Sequence, residues 1–171
     1  MVIFLLFISI VMVLNSCLLD HKISMIQTKN DSTSLRLDGI YLHEDSLDIV
    51  DLFFLYQDGT ILSRGSIQKD RLESKLAQLE VSTDDKYKSM KFLWGRYIID
   101  GEIIKFEKLA ASDKAYRAFV KKGQILNDST FVILQSYNAK GKGLRNINER
   151  YRFRKTNSKP DSINRWVGFG G

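Results

Sequence analysis

Hydrophobic and polar positions alternate along most of this chain, and the alternation stops at turn-forming residues. Residues 35–42 read as a strand, with Gly39 where a bulge would fit. His43, Glu44, Asp45 and Ser46 make a polar turn before residues 50–57, VDLFFLYQ, a second strand. Asp58-Gly59 then turns the chain into residues 60–63. Asp-Gly between apolar runs is a hairpin signal, because tight hairpin turns require positive φ. The arrangement repeats in residues 92–99 and 102–109 about Asp100-Gly101, where Ile98, Ile99, Ile103 and Ile104 suit a pleated surface. Residues 115–120 read as a strand that turns at Lys121-Lys122-Gly123 into residues 124–126. A kink at Asn127-Asp128-Ser129 precedes a strand over 130–134, and a Gly/Lys loop over 138–143 precedes the last strand, 150–155.

Between the two hairpins the period changes. Leu72, Leu76 and Leu79 are spaced i, i+4, i+7, and Lys69, Asp70, Arg71, Glu73 and Lys75 fall on the other face. The spacing predicts one amphipathic helix over residues 68–80, covering the open end or a face of the sheet. Docking to a membrane or partner is the other use of such a stripe. The expected fold is mainly β: an antiparallel sheet of about seven to eight strands, strongly curled or closed into a barrel, with one main α-helix. Closure would remove exposed strand edges.

The first twenty residues follow a different pattern. A thirteen-residue apolar run, 2–14, leads into Leu14-Asn15-Ser16-Cys17. Its length suits the h-region of a signal better than a membrane span. These residues resemble the secretion signal and lipobox of bacterial lipoproteins, although no Lys or Arg precedes the run. The resemblance implies cleavage before Cys17, a diacylglycerol on its sulfur and an acylated amino terminus, with palmitate among the chains. Several chains hold a protein firmly, whereas one gives only marginal binding. An uncleaved anchor continued through Leu18-Leu19, or an ordinary signal with an incidental cysteine, are the other readings. The expected organisation is a signal peptide over 1–16, a lipidated tether over 17–34, and a β domain over 35–171 with a basic C-terminal segment. The expected location is the cell envelope, at the outer membrane, with the domain outside the cytoplasm.

Composition adds two constraints. Of 171 residues, 155 remain after removal of 16, a length for one domain. Cys17 is the only cysteine, so the rest of the chain cannot form an internal disulfide. The net charge of +6 is uneven: residues 139–171 hold nine basic and two acidic side chains, leaving 17 basic against 18 acidic elsewhere. Any electrostatic argument therefore belongs to the C-terminal segment.

Within the β region, Trp94-Gly95-Arg96-Tyr97, the run Gly123-Gln124-Ile125-Leu126-Asn127-Asp128-Ser129-Thr130-Phe131, and Tyr151-Arg152-Phe153 resemble small bacterial lipoproteins with a lipocalin-like β domain. The resemblance covers residues 35–155. Gly39-Ile40-Tyr41 has tyrosine where lipocalins carry Gly-x-Trp.

Candidate chemistry is sparse. With two histidines, His21 and His43, and one cysteine, a Cys/His zinc site is excluded. No Gly-x-Ser-x-Gly elbow accompanies His43, which reads as a turn residue. Glu44, Asp45, Asp48 and Asp51 lack EF-hand spacing and read as a solvated loop. No catalytic group, cofactor or metal is expected. Nucleic acid is not an expected partner for an exported, tethered chain.

The strand aromatics are more informative, because inward side chains of a small barrel either fill it or line a cavity for one ligand. Phe54, Tyr56, Trp94, Arg96, Phe106 and Phe131 are the candidate ligand-binding residues. Arg96 shares a face with Trp94 and Ile98. Turned inward it needs an anionic partner or a ligand carboxylate; turned outward it is solvated. Arg150, Arg152 and Arg154 alternate with Tyr151 and Phe153, which places a basic face outward. The leading expectation is a non-enzymatic envelope lipoprotein binding a small apolar or amphipathic ligand. The alternative is a cavity-less module docking an acidic envelope partner through that basic face. An enzyme acting on envelope glycans ranks third, with no catalytic group identified.

Overall fold

The computed structural model describes residues 23–25, 34–44, 48–81, 88–110, 117–157, 159–164 and 166. Cys17, the segment read as a signal, His21, Asp45, Tyr116 and most of the expected tether lie outside these residues. Eight strands follow one another: β1 (Gly39–Glu44), β2 (Ile49–Leu55), β3 (Thr60–Gln68), β4 (Trp94–Asp100), β5 (Ile103–Ala110), β6 (Arg117–Asn127), β7 (Thr130–Asn138) and β8 (Arg145–Lys155). Each pairs antiparallel with the next, and β8 returns to β1 to close the barrel. A 3-10 turn, Lys69–Arg71, leads into helix α1, Leu72–Val81, and a second such turn, Lys91–Leu93, precedes β4.

The mainly β expectation is met by a closed antiparallel barrel with a single short α-helix among the described residues. Local departures have physical causes. Lys121-Lys122-Gly123 is not a turn; β6 runs straight through it with a register shift at Lys122/Gly123. A Cβ on Gly123 would lie 2.1 Å from the Val132 carbonyl oxygen, so this glycine admits the neighbouring strand. Neither Asp of the two Asp-Gly pairs has positive φ, whereas Gly59 (78°) and Gly101 (58°) do. Asp100 pairs with Ile103 across a two-residue loop, so the second turn is centred on Gly101-Glu102, not Asp100-Gly101. The first strand begins at Gly39 instead of residue 35.

Strand parity divides the core into two clusters. Tyr41, Phe53, Leu55, Ile61, Tyr97, Ile104, Phe106, Ile125, Phe131, Ile133 and Tyr151 point inward. Ile40, Val50, Leu52, Phe54, Leu62 and Trp94 point outward, and α1 packs Leu72 and Leu76 over them. Burying each leucine removes apolar surface from water and contributes about 1.5–3 kcal/mol. The helix thus covers a side wall of the barrel. Glu73 on its exposed face accepts two hydrogen bonds from the Arg154 guanidinium, at 2.6 and 2.7 Å.

One end is closed by the segment before β1. The Arg36 amide donates to the Asp128 carbonyl at 2.9 Å, and the Tyr41 hydroxyl donates to the Arg36 carbonyl at 3.0 Å. Beyond β8 the chain crosses back, and the Lys159 ammonium donates to the carbonyls of Leu37 and Leu55. Opposite lie the β1–β2, β3–β4, β5–β6 and β7–β8 connections. Here β3 and β4 part: only Thr60, Ile61 and Leu62 pair with β4, while Ser63–Gln68 continue along β2.

Candidate functional site in the barrel interior

The interior is layered along the barrel axis. Its floor is made of rings: Tyr151 stacks between Phe53 (centroids 4.9 Å apart) and Phe131 (5.0 Å), Phe106 meets Phe53 edge-on at 5.4 Å, and Tyr41 lies 5.1 Å from Phe131. Such ring pairs add about 0.5–1.5 kcal/mol each beyond their buried area. This part of the interior is filled.

Towards the opposite end the same inward positions turn polar. Asp51 precedes Phe53 on β2, Lys108 follows Phe106 on β5, Lys121 precedes Gly123 on β6, and Glu149 precedes Tyr151 on β8, all at strand period. The Lys121 ammonium pairs with the Glu149 carboxylate, which also accepts a 3.0 Å hydrogen bond from the Tyr151 hydroxyl. The Ser66 hydroxyl donates to Asp51. His43 packs on Tyr151 with 5.2 Å between ring centroids; it belongs to β1, not to the expected turn, and its Nδ1 lies 3.0 Å from the Arg150 carbonyl oxygen.

Lys108 differs from its neighbours. It is 8% exposed, its ammonium lies 5.4 Å from the centroid of the Phe53 ring, and among the described residues it has no hydrogen bond or ion pair. Gly95 stands opposite on β4; a Cβ there would be 2.6 Å from Lys108 Cγ and 2.9 Å from Ile61 Cγ2. The missing side chain makes room for the lysine stem. Burial, and then the charge of Lys121, push the Lys108 ammonium down to about 7, with Asp51 opposing them.

The candidate ligand residues are divided between two places. Phe106 and Phe131 are inside the barrel. Phe54, Tyr56 and Trp94 belong to the outer cluster beneath α1. Arg96 also points outward, yet it is 5% exposed, so it is neither an inward residue nor a solvated one. Its face is covered because Glu107, its cross-strand neighbour, holds the N-terminal segment: the Ser24 amide donates to that carboxylate at 2.9 Å and the Met25 amide at 2.6 Å. Among the described residues Arg96 Nη1 has no hydrogen-bond partner. Desolvation lowers the Arg96 pKa against the field of Asp58.

Arg150, Arg152 and Arg154 are exposed on the outer face of β8. With Leu42, His43, Asn148 and Phe153 they line a groove of about 360 Å³ across β1 and β8. Arg154 is held by Glu73, while Arg150 and Arg152 have no ion pair among the described residues. A second groove, of about 320 Å³, lies where β3 leaves β4, between Arg64, Ser66 and Ile67 of β3, Lys75 and Gln78 of α1, and Met90 and Leu93. Among the described residues no three His, Cys, Asp or Glu side chains converge as a metal site.

Sequence reasoning did not single out Lys108, Lys121 or Glu149 as site residues. The signal lay in the parity of their strands: Ile104, Phe106 and Lys108 share one face, as do Glu149, Tyr151 and Phe153. Reading Lys121 as part of a turn hid its partner. No family model, curated protein or solved structure matches this chain.

Proposed function

We propose that this protein is a cell-envelope lipoprotein, anchored through lipid on Cys17, whose lipocalin-like barrel binds a small amphipathic ligand at the end opposite its ring-stacked floor. The observation that carries the reading is the interior gradient, from a ring-stacked floor to a layer of Asp51, Lys108, Lys121 and Glu149. A barrel selected for stability alone has no use for a lysine such as Lys108, buried in its interior without a charge partner among the described residues. A site for one small molecule needs an apolar surface and a few fixed polar groups, and this interior supplies both. The anchor would keep such a carrier at a membrane, where amphipathic molecules are concentrated. Native mass spectrometry of the full chain taken from its own cell tests this. A small molecule released on denaturation supports the carrier reading; protein that is unliganded in every charge state opposes it.

The groove across β1 and β8 favours a second reading, docking of an acidic envelope partner through Arg150 and Arg152. Their guanidiniums carry no intramolecular ion pair among the described residues, leaving them available for carboxylates.

A further inference from the structure

Resting on that carrier reading, the geometry points to Lys108 as the anchor of the ligand, and to a carboxylate as the group it holds. We infer this from burial and pairing. A lysine nine-tenths buried in a barrel is costly unless something compensates its charge. Among the described residues, no acidic group facing it from the surrounding strands pairs with it. Asp51 on β2 accepts from Ser66, Lys121 on β6 is bound to Glu149 on β8, and Glu149 also holds the Tyr151 hydroxyl. His43 on β1 lies against Tyr151. The walls contributed by β3, β4 and β7 are Ser63, Gly95 and Ser136, which carry no charge.

A single unpaired ammonium matches a monoanion. A phosphate dianion would bring a second negative charge near Asp51 and Glu149, so a carboxylate fits better. The apolar body of the ligand then lies over the Phe53 face, with which the Lys108 ammonium is already in contact. Because the free lysine sits near neutrality, the Lys108 amine takes up a proton from solvent as the carboxylate binds at alkaline pH: the ammonium forms and is held by the anion.

The experiment uses the full chain and two probes of the same shape, 2-naphthoate and its neutral amide, followed by isothermal titration calorimetry. The expected result is a preference of about 10–100-fold for naphthoate at pH 6.5, the effect of one charge-assisted hydrogen bond. Naphthoate binding should weaken about tenfold per pH unit above 7, with buffer-dependent proton uptake, while naphthamide binding stays flat. Lys108→Met, which keeps the stem, should abolish the preference without abolishing naphthamide binding. Equal affinities for the two probes in the unaltered chain, or a preference that persists in Lys108→Met, would overturn the role of Lys108 and leave the carrier reading standing. Failure of both probes to bind would count against the carrier reading itself.

Discussion

Gly95 and Lys108 face each other across β4 and β5, and the first has no side chain where the second has its stem. A Cβ at residue 95 would also lie 2.5 Å from the Glu107 carbonyl oxygen, which is backbone and cannot swing away. Gly95→Ala should therefore destabilise the barrel by about 1–3 kcal/mol, the usual range for overpacking. Urea denaturation of the full chain checks it. An unchanged midpoint would mean that the lysine stem is not confined as described.

Burial of Lys108 without a charge partner among the described residues should lower the stability of the barrel. Its folded pKa of about 7 is below the ordinary 10.5, so between these values the unfolded chain binds more protons than the folded one. Stability from this group rises with pH across that window, and its penalty is fully present below about 7. Lys108→Met should be more stable than the parent at pH 6 by a few kcal/mol, and the difference should shrink as pH approaches 10. Paired denaturation curves at several pH values measure it. A variant less stable at pH 6 would contradict the buried, unpaired ammonium.

The two attachments of α1 should differ in weight. Leu76 is 6% exposed beneath the helix, and Leu76→Ala should cost about 2–4 kcal/mol. The Glu73–Arg154 pair is exposed and screened by solvent, so Glu73→Ala should cost far less than Leu76→Ala and lose its effect in high salt. Thermal or chemical unfolding of both variants ranks them; the reverse order would mean that the helix is held by charge.

If the groove across β1 and β8 serves an acidic partner, Arg150→Glu with Arg152→Glu should reduce retention on a polyglutamate surface at least about tenfold at low salt. The fold should persist, because both side chains are exposed. Surface plasmon resonance over a salt series reads this. Retention independent of both arginines would remove the second reading.

The barrel was legible because its signals are local. Alternation and Gly-centred turns report strand and reversal, and Leu72 and Leu76 report the buried side of a helix. Which face of a strand points inward is not local. In β4 the run Trp94, Arg96, Ile98 looks as suitable for an interior as Gly95, Tyr97, Ile99, and the choice follows from register with β3 and β5. That is why Phe54, Trp94 and Arg96 looked like cavity residues and lie outside the barrel under their own cover. Gly123 misled for a related reason: a glycine that admits the Val132 carbonyl looks, in one dimension, like a turn. The layer of Asp51, Lys108, Lys121 and Glu149 draws on four strands, and only closure brings them together.

The most direct test of binding within the barrel is to titrate 2-naphthoate into the full chain labelled with ¹³C at lysine Cε and in the aromatic rings, and to follow each resonance by NMR. The account predicts that Lys108, Phe53 and Tyr151 shift together, with Lys108 Cε moving towards its protonated position at pH 8. Shifts confined to the surroundings of Arg150 and Arg152 on the outer face of β8, with Lys108 unmoved, would contradict it.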